Sequence, residues 1–244
     1  DNGNGFPRIK IYLSDAKRDG QAAINFFTPE RFGSNQEGSS ELEQLFGHKG
    51  IFDNPKPTKL IRSLVQMASN DDSIVLDFFS GTATTAHAVM QLNAEDGGHR
   101  KFIMVQLPEK TDEKSEAYKA GYKNICEIGK ERIRRAGDKI KSESPLTTQD
   151  LDIGFRVLKL DDTNMKDVYY APDDYDQGML AALESNIKED RTDLDLLFGC
   201  LLEWGLPLSM PYTSEEISGC TVHTYNDGDL IACFDENIPD EVVK

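Results

Sequence analysis

Residues 73–107 join two apolar runs, SIVLDFF and KFIMVQL, through a turn with one glycine and the small-residue segment TTAHAVMQLN. Both runs are continuous rather than alternating, which predicts parallel strands covered on both faces. Strand, helix and strand within so short a span form a crossover unit, whose right-handed connection fixes its topology. A chain containing it is an α/β protein, and the turn DFFSGTATT at the carboxyl end of the first strand is where such a sheet places a ligand.

The turn excludes two kinds of phosphate loop. A triphosphate loop opens its helix with Gly-Lys-Ser/Thr, whereas Ala83-Thr84-Thr85 stands here. A dinucleotide loop needs three glycines so that backbone can approach a pyrophosphate. Only Gly81 is present, with Ala83 and Ala86 at the other positions. S-adenosylmethionine carries no phosphate, and one glycine suffices beside its amino acid end. Asp77 is placed to balance the ammonium group, and the helix start to bind the carboxylate. A turn that holds no ligand is the plain alternative.

Residues 1–50 read as an extended arm packing on the core. RIKIYL is a short strand, FFTPERFGSNQEGSS a polar loop, and SSELEQLFG a short helix capped near Ser39 or Ser40 and ended by Gly47. In FDNPKPTKLIRSLVQMASNDD the two prolines impose an extended lead-in. Leu60, Ile61, Leu64, Val65 and Ala68 then recur at helical spacing. Tyr118, Tyr122, Ile125, Gly129, Ile133, Ala136 and Ile140 predict one long helix over 115–141. Its opposite face, with Lys130, Arg134, Arg135 and Lys141, reads as a solvated face, with a DNA-facing patch as the alternative.

Residues 143–150 read as a linker between a cofactor-binding half, 51–142, and a C-terminal α+β module, 151–244. In that module GFRVLKL is a strand, DQGMLAALESNI and TDLDLLFGCLLEWG are helices, and CTVHTYNDGDLIACF is a hairpin bending at Asn226-Asp227-Gly228. Charge divides the same way. Residues 151–244 hold 21 Asp+Glu against 6 Lys+Arg, while residues 1–150 hold 22 against 21. The acidic module repels a phosphate backbone and suits docking to protein.

Cys126, Cys200, Cys220 and Cys233 have no paired spacing, and the four histidines are equally scattered. Reduced thiols in a cytoplasm, no disulfides and no metal site follow. No apolar run approaches the roughly 20 residues that span a bilayer. DNGNGFPRIK has neither an initiator Met nor a signal-peptide core, and the chain reads as part of something larger.

The segment FDNPKPTKLI preceding VLDFFSGTATTAHAV resembles motif X followed by motif I of the β-class amino-methyltransferases of DNA. RIKIYLSDAKRDGQAA, GYKNICEIGKERIRRAGDKI, GFRVLKLDDTNMKDVYY and LESNIKEDRTDLDLLF extend the likeness along the chain. Together they resemble the modification subunit of type III restriction–modification systems. The resemblance implies methyl transfer from S-adenosylmethionine to adenine N6 in DNA, within a doubly wound, Rossmann-like methyltransferase sheet of which this chain holds part. Double-stranded DNA, a restriction subunit and a second modification subunit are the implied partners. Lys56, between Pro55 and Pro57, would meet the cofactor's carboxylate. Asp77, Phe78, Phe79, Ser80, Gly81, Thr82, Thr84 and Thr85 map onto the cofactor loop. Ala83 replaces a family glycine, tolerable only if its backbone avoids positive φ. Gln106 stands where many relatives place a carboxylate on the ribose, with Glu109 three residues further on.

The catalytic Asp-Pro-Pro-Tyr-type motif is missing, since no two of the ten prolines are adjacent. No catalytic residue is therefore assigned, and the chain alone is expected to be inactive. Its sheet should have an open apolar edge that is irregular or self-associating, and its cofactor affinity should be weak or absent. A protein-interaction module is the second reading. A dinucleotide-dependent oxidoreductase is the third, disfavoured by the glycine pattern.

Overall fold

A computed structural model describes Tyr12, Ser14, residues 25–166 and residues 186–243. The chain forms two compact units, Asp1–Gly154 and Phe155–Lys244. RIKIYL lies outside the described residues apart from Tyr12, and so does most of DQGMLAALESNI.

Among the described residues two helices open the first unit, and the first of them and the start of the second lie where a polar loop is expected. Helix α1, Pro29–Phe32, starts on proline, whose fixed φ suits a first helical position. Helix α2, Asn35–Phe46, starts at a capping box in which Ser34 and Glu37 exchange hydrogen bonds, five residues before the expected cap. Gly38-Ser39-Ser40 invites a loop reading, but Gly38 serves contact instead. A Cβ there would lie 2.4 Å from the Pro55 carbonyl oxygen. Gly47 ends α2 in the left-handed conformation, as its position predicts. Leu42 and Phe46 of α2 then pack with Ile51, Ala117 and Ile128.

Helix α3, Thr58–Ala68, precedes strand β1, Ile74–Asp77; helix α4, Thr84–Asp96, leads to strand β2, Lys101–Met104. The strands pair in parallel, with Ile74 opposite Lys101 and Asp77 opposite Met104. Val65, Val89 and Leu92 form the apolar layer between α3, α4 and the strands, joined by Ile61, Val75 and Phe102. Asn93 fixes the return to β2, donating to the Arg100 carbonyl at 2.9 Å and accepting its amide at 3.2 Å.

Only one face of this sheet is covered by the described residues, where two are expected. Val75, Asp77, Phe102 and Met104 are half-buried, whereas Ile74 is 62%, Leu76 58% and Ile103 50% exposed. The apolar character of alternate positions thus runs ahead of the packing that the described residues supply.

The expected helix over 115–141 is broken. Helix α5, Glu116–Lys119, is followed by a reversal with Gly121 at φ 97°, and helix α6, Ile125–Glu143, restarts on an Asn124 cap. From Ile125 onward the apolar stripe holds: Ile128, Gly129, Ile133, Ala136 and Ile140 are buried, and Arg132 joins them. The basic face of α6 is largely neutralised within the helix. Lys130 pairs with Glu127 at 2.6 Å, and Arg135 with Glu131 at 2.7 Å. Arg135 also lies over the Phe46 ring.

In the second unit, helix α7, Asp193–Glu203, is capped by Thr192 and Asp195. Strands β3, Tyr212–Ile217, β4, Cys220–Tyr225, and β5, Leu230–Cys233, form an antiparallel sheet in chain order. Asn226–Gly228 makes the bend between β4 and β5, as the hairpin reading predicts. Leu197, Leu201, Tyr225 and Leu230 form the core. GFRVLKL is not a strand; instead Arg156 donates to the carbonyls of Leu208 and Met210 and faces the rings of Phe198 and Tyr212.

Candidate functional site

The turn after β1 is held by its own polar groups. Asp77 uses one oxygen for the Phe79 amide at 3.2 Å and the other for the Thr85 hydroxyl at 2.5 Å. The Gly81 amide donates to Gln106 Oε1 at 2.8 Å, and Ser80 donates its amide to Val105 O at 3.2 Å. Gln106 therefore braces the glycine from the end of β2, and its Nε2 donates to Leu107 O. Its carboxamide is engaged within the turn, whereas the sequence assigns it to a ribose. Glu109 is exposed, and its carbonyl accepts the Ile125 amide at 3.0 Å.

Ala83 corrects one expectation. Its backbone is left-handed, at φ 59° and ψ 39°, where the sequence reading requires positive φ to be avoided. An L-residue in that region costs about 1–2 kcal/mol. The turn accepts the strain because Ala83 is the N-cap of α4 and its methyl is buried at 2% exposure. Helix α6 backs the turn closely: a Cβ on Gly129 would stand 3.4 Å from Gly81 O and 3.6 Å from the Ala83 methyl.

The Pro55–Thr58 segment approaches the turn through an arginine that the sequence reading passes over. Arg132 of α6 is fully buried. Its Nη1 donates to Thr82 Oγ1 at 3.1 Å and Thr84 Oγ1 at 2.7 Å, while its Nη2 donates to Thr58 Oγ1 at 3.1 Å. One planar fork thus ties the first residue of α3 to the start of α4, a geometry that lysine cannot copy. The Thr58 amide, at a helix start, donates to Glu41 Oε2 of α2 at 3.0 Å. Burial lowers the Arg132 pKa to about 10, with nearby Glu41 opposing, so the guanidinium stays charged at neutral pH.

His87 of α4 completes the cluster, its Nδ1 lying 3.4 Å from Thr58 Oγ1. Burial first, then the charges of Arg132 and Lys139, lower its pKa to about 3. The Thr58 hydroxyl accepts from Arg132, which leaves its own proton free to face the neutral ring. In the unfolded chain His87 titrates near 6.5, so the unfolded state binds the extra proton between pH 6.5 and 3. Stability is full above pH 6.5 and falls, as pH drops toward 3, by up to about 1.4 kcal/mol per pH unit. Urea midpoints measured from pH 7 to 4 should show this slope, and His87→Gln should flatten it.

The sequence-assigned residues thus divide in two. Lys56, Phe78 and Phe79 are exposed at the surface, with Phe79 at 80%. Ser80 and Gly81 are half-buried. Thr82, Thr84 and Thr85 are buried and turn inward to Arg132 and Asp77, while Pro57 is buried beside Thr58. The inward group shapes the turn and the outward group is available to a ligand. Arg132 stands directly before Ile133 of the apolar stripe, and that position was the available signal.

The profile of the DNA methylase family, of the N6/N4 type, matches residues 9–136. The chain is 44% identical to the type III restriction-modification enzyme StyLTI Mod subunit of Salmonella typhimurium, over 64% of this chain and 23% of that protein. It is 34% identical to the EcoPI Mod subunit of Escherichia phage P1, over 79% of this chain and 29% of that protein. It is 33% identical to the type II methyltransferase M.KpnI of Klebsiella pneumoniae, over 55% and 31%. The chain therefore spans about a quarter to a third of the length of these relatives. With more than half of its residues inside the family profile, this chain belongs to the N6/N4 DNA methylases.

Proposed function

We propose that the chain is the cofactor-binding part of an adenine-N6 DNA methyltransferase of a type III restriction–modification system. The observation that carries this is the Arg132 fork, which sets the NPKPT segment beside the DFFSGTATT turn. S-adenosylmethionine would supply a methyl group on a sulfonium, electrophilic enough for an exocyclic amine. The residues present fit it: the glycine turn lacks a pyrophosphate cradle, and the first amides of α4 have no partner within the helix.

In this reading the Lys56 ammonium, exposed two residues before α3, binds the cofactor's carboxylate. The Phe78 and Phe79 rings offer apolar surface to its adenine. Asp77 keeps the turn in shape and adds negative charge facing the ammonium and sulfonium. Gln106 serves through Gly81, and any ribose contact passes to its remaining lone pairs or to Glu109. No adjacent prolines occur in this sequence, so the group that holds the target amine is not supplied here, and the chain alone is inactive.

Double-stranded DNA, a restriction subunit and a second modification subunit are the partners in this proposal, in a cytoplasmic setting. Among the described residues no helix is long and apolar enough to cross a membrane. The acidic second unit supports a second role, docking protein rather than DNA. The domain scheme, with 1–50 lying on the 51–142 cofactor half and 151–244 as the docking module, belongs to the same proposal.

A thermal-shift comparison tests the reading. Millimolar S-adenosylhomocysteine should raise the melting temperature, by mass action on a weak site, while NAD does not. A shift with NAD, or with neither ligand, contradicts it. Micromolar affinity would show the site complete within this chain.

A further inference from the structure

The hairpin of the second unit brings together three ligand-type side chains that sequence spacing keeps apart. Cys220 lies on β4 and Cys233 on β5, and the pairing of Val222 with Cys233 puts both cysteines on one face. Continuing the register sets Asp235 opposite Cys220, and the Thr221 amide holds Asp235 Oδ2 at 2.7 Å. The two sulfurs and a carboxylate oxygen all lie within 4.8 Å of one another. Cys220 is buried, Cys233 half-buried and Asp235 exposed, so the cluster opens outward. Both thiols are free.

We propose that Cys220, Cys233 and Asp235 bind a thiophilic divalent cation of the zinc class. Zinc–sulfur and zinc–oxygen bonds of about 2.3 and 2.0 Å at tetrahedral angles place a sulfur and an oxygen ligand about 3.5 Å apart. Cys233 Sγ stands 3.6 Å from Asp235 Oδ2, which is that edge. The Asn237 carbonyl, 3.9 Å from Cys220 Sγ, or a water takes the fourth position. Two of the ligands sit on paired strands, which holds their spacing.

Charge favours a cation at this place. Residues 192–243 contain 11 Asp+Glu and no Lys or Arg. Sulfur ligands select zinc or cadmium over magnesium and calcium. On binding, each thiol releases its proton to solvent, and two thiolates and one carboxylate face the ion. The site is independent of the methyltransferase reading, and neither outcome of the thermal-shift comparison bears on it. Its expected effect is to pin the β4–β5 hairpin.

The reduced, chelator-treated chain is titrated with Co(II), and sulfur-to-metal charge transfer is followed in the near ultraviolet. The band should saturate at one equivalent, collapse on addition of Zn(II) and ignore Mg(II). Cys233→Ser should abolish it, and Asp235→Asn should weaken Co(II) affinity by about tenfold or more. Both positions are partly open, and circular dichroism confirms that each variant folds. No band, a band unchanged in Cys233→Ser, or formation of a Cys220–Cys233 disulfide in air despite saturating Zn(II) overturns the proposal.

Discussion

Arg132→Met should lower stability by about 3 kcal/mol, read as a drop in the urea midpoint with unchanged slope. The substitution fills similar space but leaves the hydroxyls of Thr58, Thr82 and Thr84 without their donor. An unsatisfied buried polar group costs about 1–3 kcal/mol. Part of that loss is offset, because a charge no longer has to be buried. Arg132→Lys should recover less than half, since an ammonium is a point donor and cannot span three acceptors in one plane. Cofactor affinity should fall further than stability alone explains, because the two turns lose their common tie. A methionine variant within about 0.5 kcal/mol of the parent, the usual range for neutral surface changes, would reduce Arg132 to packing.

Gly38→Ala is the second large effect. On an exposed helix face the change would add about 1 kcal/mol of stability through propensity. Here the added methyl meets backbone rather than a movable side chain: Pro55 O at 2.4 Å, and Lys56 C and Pro57 N at 2.9 Å. Either α2 or the Pro55–Pro57 segment must shift, and overpacking of this kind costs about 1–3 kcal/mol. Since Glu41 of α2 also accepts the Thr58 amide, the strain passes to the start of α3. The expected result is a net loss of about 2 kcal/mol, with weaker S-adenosylhomocysteine protection. Gly129→Ala is the internal contrast. Its methyl finds only ordinary contacts, 3.4 Å or more, so propensity should win.

The two outcomes show why glycine was hard to read in this sequence. Gly47 and Gly97 end helices in the left-handed conformation, as their positions predict. Gly38 lies inside a helix for the sake of close approach, and the sequence presents it beside two serines, as a loop would. Gly121 breaks a helix whose apolar period runs on without interruption. Period alone carries no information about a reversal that Asn124 caps.

The strand–turn–helix core was legible because its apolar runs are long and its turn is short. Strands Ile74–Asp77 and Lys101–Met104 and helix Thr84–Asp96 fall where the pattern puts them. Strand Tyr212–Ile217 escaped notice. All but its first residue are exposed, and Glu215 and Glu216 give it the composition of a loop. The candidate site was half legible in the same way. Turn chemistry marked Asp77, Gly81 and the threonines, yet the inward direction of Thr82 and Thr84 depends on Arg132, and that of Thr85 on Asp77. By residue type Arg132 reads as solvent-facing, and only its place beside the apolar stripe points inward. The proximity of Cys220 and Cys233 likewise follows from strand register, not from spacing.

The joining of the NPKPT segment to the DFFSGTATT turn by Arg132 is open to a direct double-mutant cycle. Thr58 and Thr84 are joined through the two amino groups of one guanidinium. Thr58→Val and Thr84→Val should therefore be coupled, by about 1 kcal/mol in urea unfolding of the chain, and the coupling should vanish in an Arg132→Met background. Additive effects in the parent, or a coupling that survives the loss of Arg132, would contradict the account.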